Sequence, residues 1–264
     1  AAVVVAAGLL LAQTGLGRAG TGDTATAVAG IGLAVLGLAV AVVAARGLLP
    51  AGTLRLRRGL PTTVLLRGVL SAGFFAGEVF VPLSLVTLRD VSTTASGLVL
   101  TTGAIGWVCG SAVQARLPAS LDRGRVVRVG ALISALGVAV LPLALVPALP
   151  AWLAAVGWAV GTVGMGLSFP SISVQTLALS APEEQGVNSS SLQMVDAMCS
   201  ALAIAAAGAV QSAAVAAGGA TRATYTAIWL GGALVLVAGA VLAGRMTPGR
   251  SQAAGMPSST VPSS

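Results

Sequence analysis

Two carboxylates stand in surroundings where a charge is costly. Glu78 follows Gly73, Phe74, Phe75, Ala76 and Gly77 and precedes Val79 and Phe80, while Asp196 closes a run that starts at Asn188 and holds Ser189, Leu192, Gln193, Met194 and Val195. In hydrocarbon a charged side chain costs at least about 2.5–3.5 kcal/mol, so a carboxyl placed there is a candidate for binding a cation or for loading and releasing a proton. Residues 189, 193 and 196 follow i, i+4, i+7 spacing, which makes Ser189, Gln193 and Asp196 one polar stripe on a helix. Two readings of the stripe are open: part of a substrate site, or a bonding surface for a neighbouring helix carrying Ser168, Ser171 and Gln175. Glu78 is similarly open between proton coupling or cation binding and a bond to the outer interface or a neighbouring helix.

Other chemistry is scarce. The chain has no histidine, which removes His-ligated zinc, Ser-His-Asp triads and His-based intramembrane proteases. Its two cysteines, Cys109 and Cys199, both fall in apolar segments and are expected to be small packing residues, with no disulfide framework or metal motif. There is no nucleophile-base pair and no phosphate-cradling glycine loop, so an enzyme is not expected, nor a bound cofactor or metal.

The elements that position the carboxylates are about seven apolar stretches, at 24–49, 62–86, 93–115, 126–148, 151–177, 188–214 and 223–244. Each has about 20 residues or more, enough to span roughly 30 Å of hydrocarbon. In the second, Glu78 lies about four residues, or roughly 6 Å, outward of the centre. Pro82 and Pro170 remove backbone donors and should bend the second and fifth segments. The pairs Gly106/Gly110 and Gly157/Gly161, the latter followed by Gly164 and Gly166, have the spacing of close helix packing.

Composition points to lipid as the solvent: 56% of residues are hydrophobic, 8% are charged and the mean hydropathy is +0.97. The net charge of +7 would suggest nucleic acid in a soluble chain, but every basic residue is an arginine and most lie in short loops, so no nucleic-acid partner is expected. Arg46, Arg55, Arg57 and Arg58, then Arg116, Arg123, Arg125 and Arg128, then Arg245 and Arg250 all fall on alternate loops that share one side. The other loops hold Arg18 with Asp23, Arg89 with Asp90, a turn at 142–150 and Arg222. The arginine-rich side is therefore expected to be the cytoplasm, with the C-terminus on that side of the plasma (inner) membrane. Arg67 is expected to snorkel to that cytoplasmic interface. The acidic turn with Glu183 and Glu184 falls on the same side, but acidic residues weigh little in this rule.

Order and motif together resemble the C-terminal half of a major facilitator superfamily transporter. The resemblance rests on the basic connection 49–60, the six segments after it, and Asp122, Arg123, Gly124 and Arg125 between the third and fourth full segments. In that family a basic loop joins two six-helix halves, and a GxxxDRxGRR-type motif sits between the second and third helices of each half. The match at 110–128 departs from the pattern: Gly124 and Arg125 follow Asp122 and Arg123 directly, one residue short, and Pro118, Ala119 and Ser120 intrude.

The resemblance implies an all-α integral membrane protein, an MFS-type helical bundle of about seven full transmembrane helices plus a truncated N-terminal one. Residues 1–15 would be the remnant of the family's helix five, 24–49 its helix six, 50–61 a basic cytoplasmic central loop, 62–244 the six-helix C-terminal bundle and 245–264 a disordered cytoplasmic tail. It further implies a secondary transporter that works by alternating access, partnered by the bilayer, a small-molecule substrate and an N-terminal or partner half. Glu78, on a helix that lines the family's central cavity, becomes a proton-coupling or substrate-binding residue with Asp196, Gln193, Ser189 and Gln175. Gln114, Arg116, Asp122, Arg123 and Arg125 become a cytoplasmic motif or gate. Carboxylates without a basic intramembrane partner suit an apolar or cationic substrate, so efflux driven by a proton gradient is expected first. The alternatives are a symporter or exporter of a small metabolite on the same fold, and a non-transporting scaffold or sensor subunit.

Overall fold

Backbone groups that face lipid find no water to bond, so a chain this apolar must close its hydrogen bonds within each spanning segment. The computed structural model describes residues 2–20, 24–118 and 120–247, and all its regular elements are helical. The α-helices are α1 (Ala2–Ala19), α2 (Thr24–Ala45), α3 (Leu60–Glu78), α4 (Phe80–Arg89), α5 (Thr93–Ala115), α6 (Arg123–Val140), α7 (Leu153–Ala178), α8 (Gln185–Ala216) and α9 (Arg222–Leu242). Counting α3 with α4 as one span, 7 helices among the described residues are long and apolar enough to cross a membrane. The chain is a multi-pass, all-helical membrane protein by length and composition.

Several boundaries differ from the expected ones. Residues 16–19, expected to be loop, continue α1. The reason is an interlock with α2: Gly15 and Gly30 face each other so closely that a Cβ on either would strike the other's carbonyl. Residues 245–247, expected to belong to the tail, are part of the folded bundle end. Met246 is fully buried, the Arg245 carbonyl accepts the Gly59 N–H at 2.9 Å, and residues 248–264, with Arg250, lie outside the described residues, as do Asp23 and Ala119. The segment expected over 126–148 is α-helical only to Val140 and then tightens into a 3-10 turn, Leu141–Leu145, around Pro142.

Both interior prolines act where their missing N–H falls. Pro82 has no donor for the carbonyl of Glu78, four residues earlier, and the helix is interrupted at Val79 between α3 and α4. The adjacent carbonyl, of Gly77, accepts the Trp229 indole N–H from α9 at 3.2 Å. Pro170 would leave the Gly166 carbonyl empty, and Ser111 of α5 donates to it at 3.2 Å, so α7 runs through without a break.

The bundle has two central helices. One is α7, packed between α5 and α6, and the other is α3, packed between α8 and α9; α6 against α9 and α3 against α7 close the bundle, while the α1–α2 pair rests on α8. Without a hydrophobic force between helices in lipid, close van der Waals contact must hold them. The GxxxG glycines supply it. Gly106 and Gly110 of α5 lie against the carbonyls of Ala159 and Val163, and Gly164 of α7 lies against Gly130 and Ser134 of α6. Larger rings fill the centre, with Phe74 of α3 stacked on Trp158 of α7 at 4.7 Å between centroids.

Hydrogen bonds and close contacts join 48–59, 122–128 and 240–246, with 177–191, at one end of the bundle, so the arginine-rich loops share an end. At the other end, Arg89 is not a free loop charge. Its guanidinium donates to the carbonyls of Ala144, of Val146 at 2.8 Å and of Leu149 at 2.9 Å, fixing the 3-10 turn after α6 onto α4.

Gly110→Ala should lower unfolding stability in detergent by about 1–3 kcal/mol, because its Cβ would overlap the Val163 carbonyl. Gly97→Ala, on the same helix with open space around it, should leave stability unchanged or slightly raised in the same measurement.

Candidate functional site

Asp196 is answered from α3. The Arg67 Nε donates to Asp196 Oδ2 at 2.9 Å, and Nη2 of the same guanidinium lies 2.9 Å from that oxygen. Ser71, one helical turn after Arg67, donates its hydroxyl to Oδ1 and also bonds the Arg67 carbonyl at 2.9 Å. Behind the pair, the Arg67 guanidinium stacks over the Phe169 ring of α7 with 3.6 Å between its carbon and the ring centroid. The side chains of Arg67 and Asp196 are only 12% and 20% exposed, so each charge is largely withdrawn from solvent and neutralised by the other.

Local sequence makes this approach possible. Arg67 and Ser71 are i, i+4 on α3 and face α8 together. Between them Gly68 presents no side chain; a Cβ there would meet Val195 and Cys199 of α8 within 2.6 Å. Any larger residue would push α8 away from the pair.

Arg67 therefore does not snorkel to an interface. Its position about seven residues, or roughly 10 Å, inside α3 leaves Asp196 nearer than the bundle's end. Of the open readings of the α8 stripe, a bond to Ser168 or Ser171 of α7 is not made, since these donate to the carbonyls of Gly164 at 2.8 Å and Leu167 at 2.9 Å on their own helix. Asp196 does have a basic intramembrane partner, which overturns the premise that neither carboxylate has one. Cys199 packs against α3 as expected, whereas Cys109 is exposed on α5 rather than packed within the bundle.

Beside the ion pair lies an open pocket of about 400 Å³ lined by Phe75, Glu78, Gln193, Asp196, Ala197, Ser200 and Ile204. It brings three of the candidate residues together: Glu78 from α3, and Gln193 and Asp196 from α8. Glu78 is half-buried at the last residue of α3, where Pro82 interrupts the helix. Among the described residues its carboxylate has no hydrogen-bond or ion-pair partner. Ser189 lies about two turns from Asp196 towards the arginine-rich end, and Gln175 is half-buried on α7; neither lines this pocket.

The motif residues do a different job. Asp122 caps α6, its carboxylate accepting the Gly124 N–H at 2.9 Å, and it faces the exposed Arg125 at 3.8 Å. Gly124 packs on the carbonyl of Ala243, and Arg128 donates to that of Ala240 at 3.2 Å, which places a cation at the negative end of α9. Arg123 is half-buried with its Nη1 unpartnered among the described residues. Gln114 is buried in the last turn of α5, and Arg116 is exposed at that helix's C-cap.

The residues that sequence reasoning missed are Arg67 as a partner, Ser71 and Phe169. The signal was a basic residue deep in one apolar segment and an acidic one deep in another, but Glu78 competed for the same arginine on sign alone. Among the described residues no group of three His, Cys, Asp or Glu could hold a metal ion. No protein-family model matches the chain, and no curated protein sequence matches it.

What remains chemically is one carboxylate without a counter-charge, in a pocket with an aromatic wall (Phe75), an apolar wall (Ala197, Ile204) and two neutral polar groups (Gln193, Ser200). Such a site favours a cation or a proton, and an aromatic face adds to cation binding.

Removing one member of the ion pair should cost more than removing both. Arg67→Met and Asp196→Leu are each expected to destabilise the protein by about 3 kcal/mol, and the double variant by less than either single one. Unfolding free energies of the four proteins in detergent check this.

Proposed function

We propose that the chain is part of a secondary active transporter of the major facilitator type, which moves a small apolar or cationic compound out of the cell in exchange for protons. The observation that carries this reading is the Glu78 carboxylate, unpaired among the described residues and set at a helix interruption on the wall of the open pocket. The family assignment is supported by the order of the elements: a basic connection at 50–59, six spans after it, and the Asp122 to Arg125 motif between the second and third of those six.

Glu78 is the coupling group in this reading. When protonated it carries no charge, and closing the pocket away from water is easier; when ionised it holds a cationic substrate. Substrate and proton compete for one carboxylate, so loading one releases the other, and no covalent step is needed. The interruption at Val79 provides a place where α3 and α4 change their relative angle as the pocket opens and closes. The Arg67–Asp196 pair stays neutral throughout and fixes α3 to α8 beneath the pocket. With Asp196 paired, the pocket offers one net negative charge, which keeps a monocation ahead of a dication or an anion.

The native protein, reconstituted in vesicles, should show proton movement when a lipophilic cation is added. Glu78→Gln should reduce that movement at least about tenfold while leaving the protein folded. Unchanged movement in the variant would remove Glu78 from the mechanism, and absence of movement in the native protein would favour the scaffold reading.

A further inference from the structure

The connection between α2 and α3 is a built turn rather than a slack linker. The Thr53 hydroxyl donates to the Pro50 carbonyl at 2.6 Å, and the Gly52 carbonyl accepts the N–H groups of Arg55 at 3.0 Å and Arg57 at 3.2 Å. Gly52 has a φ of 92° and no room for a Cβ, which would strike the Arg57 side chain. The Gly59 N–H bond to Arg245 then ties the turn to the end of α9. These bonds fix the backbone at Arg55 and Arg57, whose exposed side chains share a pocket with that of Arg46, just after the last turn of α2.

The three arginines line one pocket of about 590 Å³, whose apolar side is made by Leu49, Pro50 and Leu54. Among the described residues the ion pairs are Arg67 with Asp196 and Arg125 with Asp122, so no carboxylate neutralises Arg46, Arg55 or Arg57. Glu184 lies nearby but lines an adjoining pocket on the other side of Pro50 and Ala51. Three like charges gathered by a fixed turn repel one another unless an anion joins them. Guanidinium groups offer paired N–H donors in the geometry that phosphate oxygens accept.

The geometry points to a binding site for the headgroup phosphate of an anionic phospholipid, held by Arg46, Arg55 and Arg57. A lipid suits it better than a free phosphate because the pocket sits at the end of a membrane-spanning helix and adds an apolar wall for the start of an acyl chain. The inference rests on the chain crossing a membrane and is independent of the transport reading. Occupied, the site joins the α1–α2 pair to the six-span bundle through the lipid as well as through the Ser191 hydroxyl bond to Leu48 at 2.6 Å.

Native mass spectrometry of the purified full-length protein, mixed with equal amounts of phosphatidylglycerol and phosphatidylcholine, tests it. Phosphatidylglycerol should be retained in preference, and each of Arg46→Gln, Arg55→Gln and Arg57→Gln should lower its retention about fivefold. Arg116→Gln, an exposed arginine near the same end, should leave retention unchanged. Millimolar inorganic phosphate should not displace the lipid; displacement, with phosphate itself retained, would make this a free-anion site and overturn the lipid assignment. Equal retention of the two lipids, or full preference in the single variants, would overturn the site altogether. The single variants keep two of the three charges, so a folding failure in any triple variant does not decide the matter.

Discussion

A buried charge in a membrane protein must be answered inside the protein, and the Arg67–Asp196 ion pair is where this chain meets that rule. It spans 129 residues of sequence and joins α3 to α8 through a single carboxylate that accepts from Arg67 and Ser71. Breaking such a pair leaves an uncompensated charge, which is worse than never having had either group. The constraint reaches beyond the two side chains. Gly68 has to be small for α8 to come close, and Phe169 has to lie flat beneath the guanidinium, which fixes α7 against the same point.

The same rule, applied to backbone groups, shapes the rest of the bundle. Each proline removes a donor that lipid cannot replace, and a neighbouring helix supplies a substitute or the helix breaks. Ser111 fills the gap left by Pro170, and α7 remains continuous. At Pro82 the helix gives way at Val79, and Trp229 takes the neighbouring Gly77 carbonyl. Glu78, the last residue before that interruption, lines the edge of the pocket. Pairing of Asp196 and, among the described residues, the lack of a partner for Glu78 stand side by side, and the contrast between them gives the pocket its chemistry.

The apolar spans and the sharing of one end by the arginine-rich loops were legible in the sequence, because both depend on composition that no partner can hide. The small-residue contacts were legible too: Gly106, Gly110, Gly157, Gly161 and Gly164 all lie at close helix approaches. Glu78, Gln193 and Asp196 could be named from their surroundings. Their relation to one another could not, since a deep arginine and two deep carboxylates allow more than one pairing. Helix ends were misread where a tertiary contact overrides local polarity: residues 16–19, with Arg18, read as loop but belong to α1, held by its interlock with α2. Arg89 beside Asp90 likewise read as an exterior loop pair, and only the folded turn at 141–149 shows the carbonyls it bonds.

Since Asp196 is already neutralised, the account requires Glu78 to be the one group in the pocket that exchanges a proton for a cation. Binding of a lipophilic cation to the purified protein in weakly buffered detergent solution, followed by a pH indicator, measures this without any membrane gradient. The account predicts release of about one proton for each cation bound when the carboxyl starts protonated, and none from Glu78→Gln. Cation binding with no proton release at any pH, or release that survives in Glu78→Gln, would contradict it.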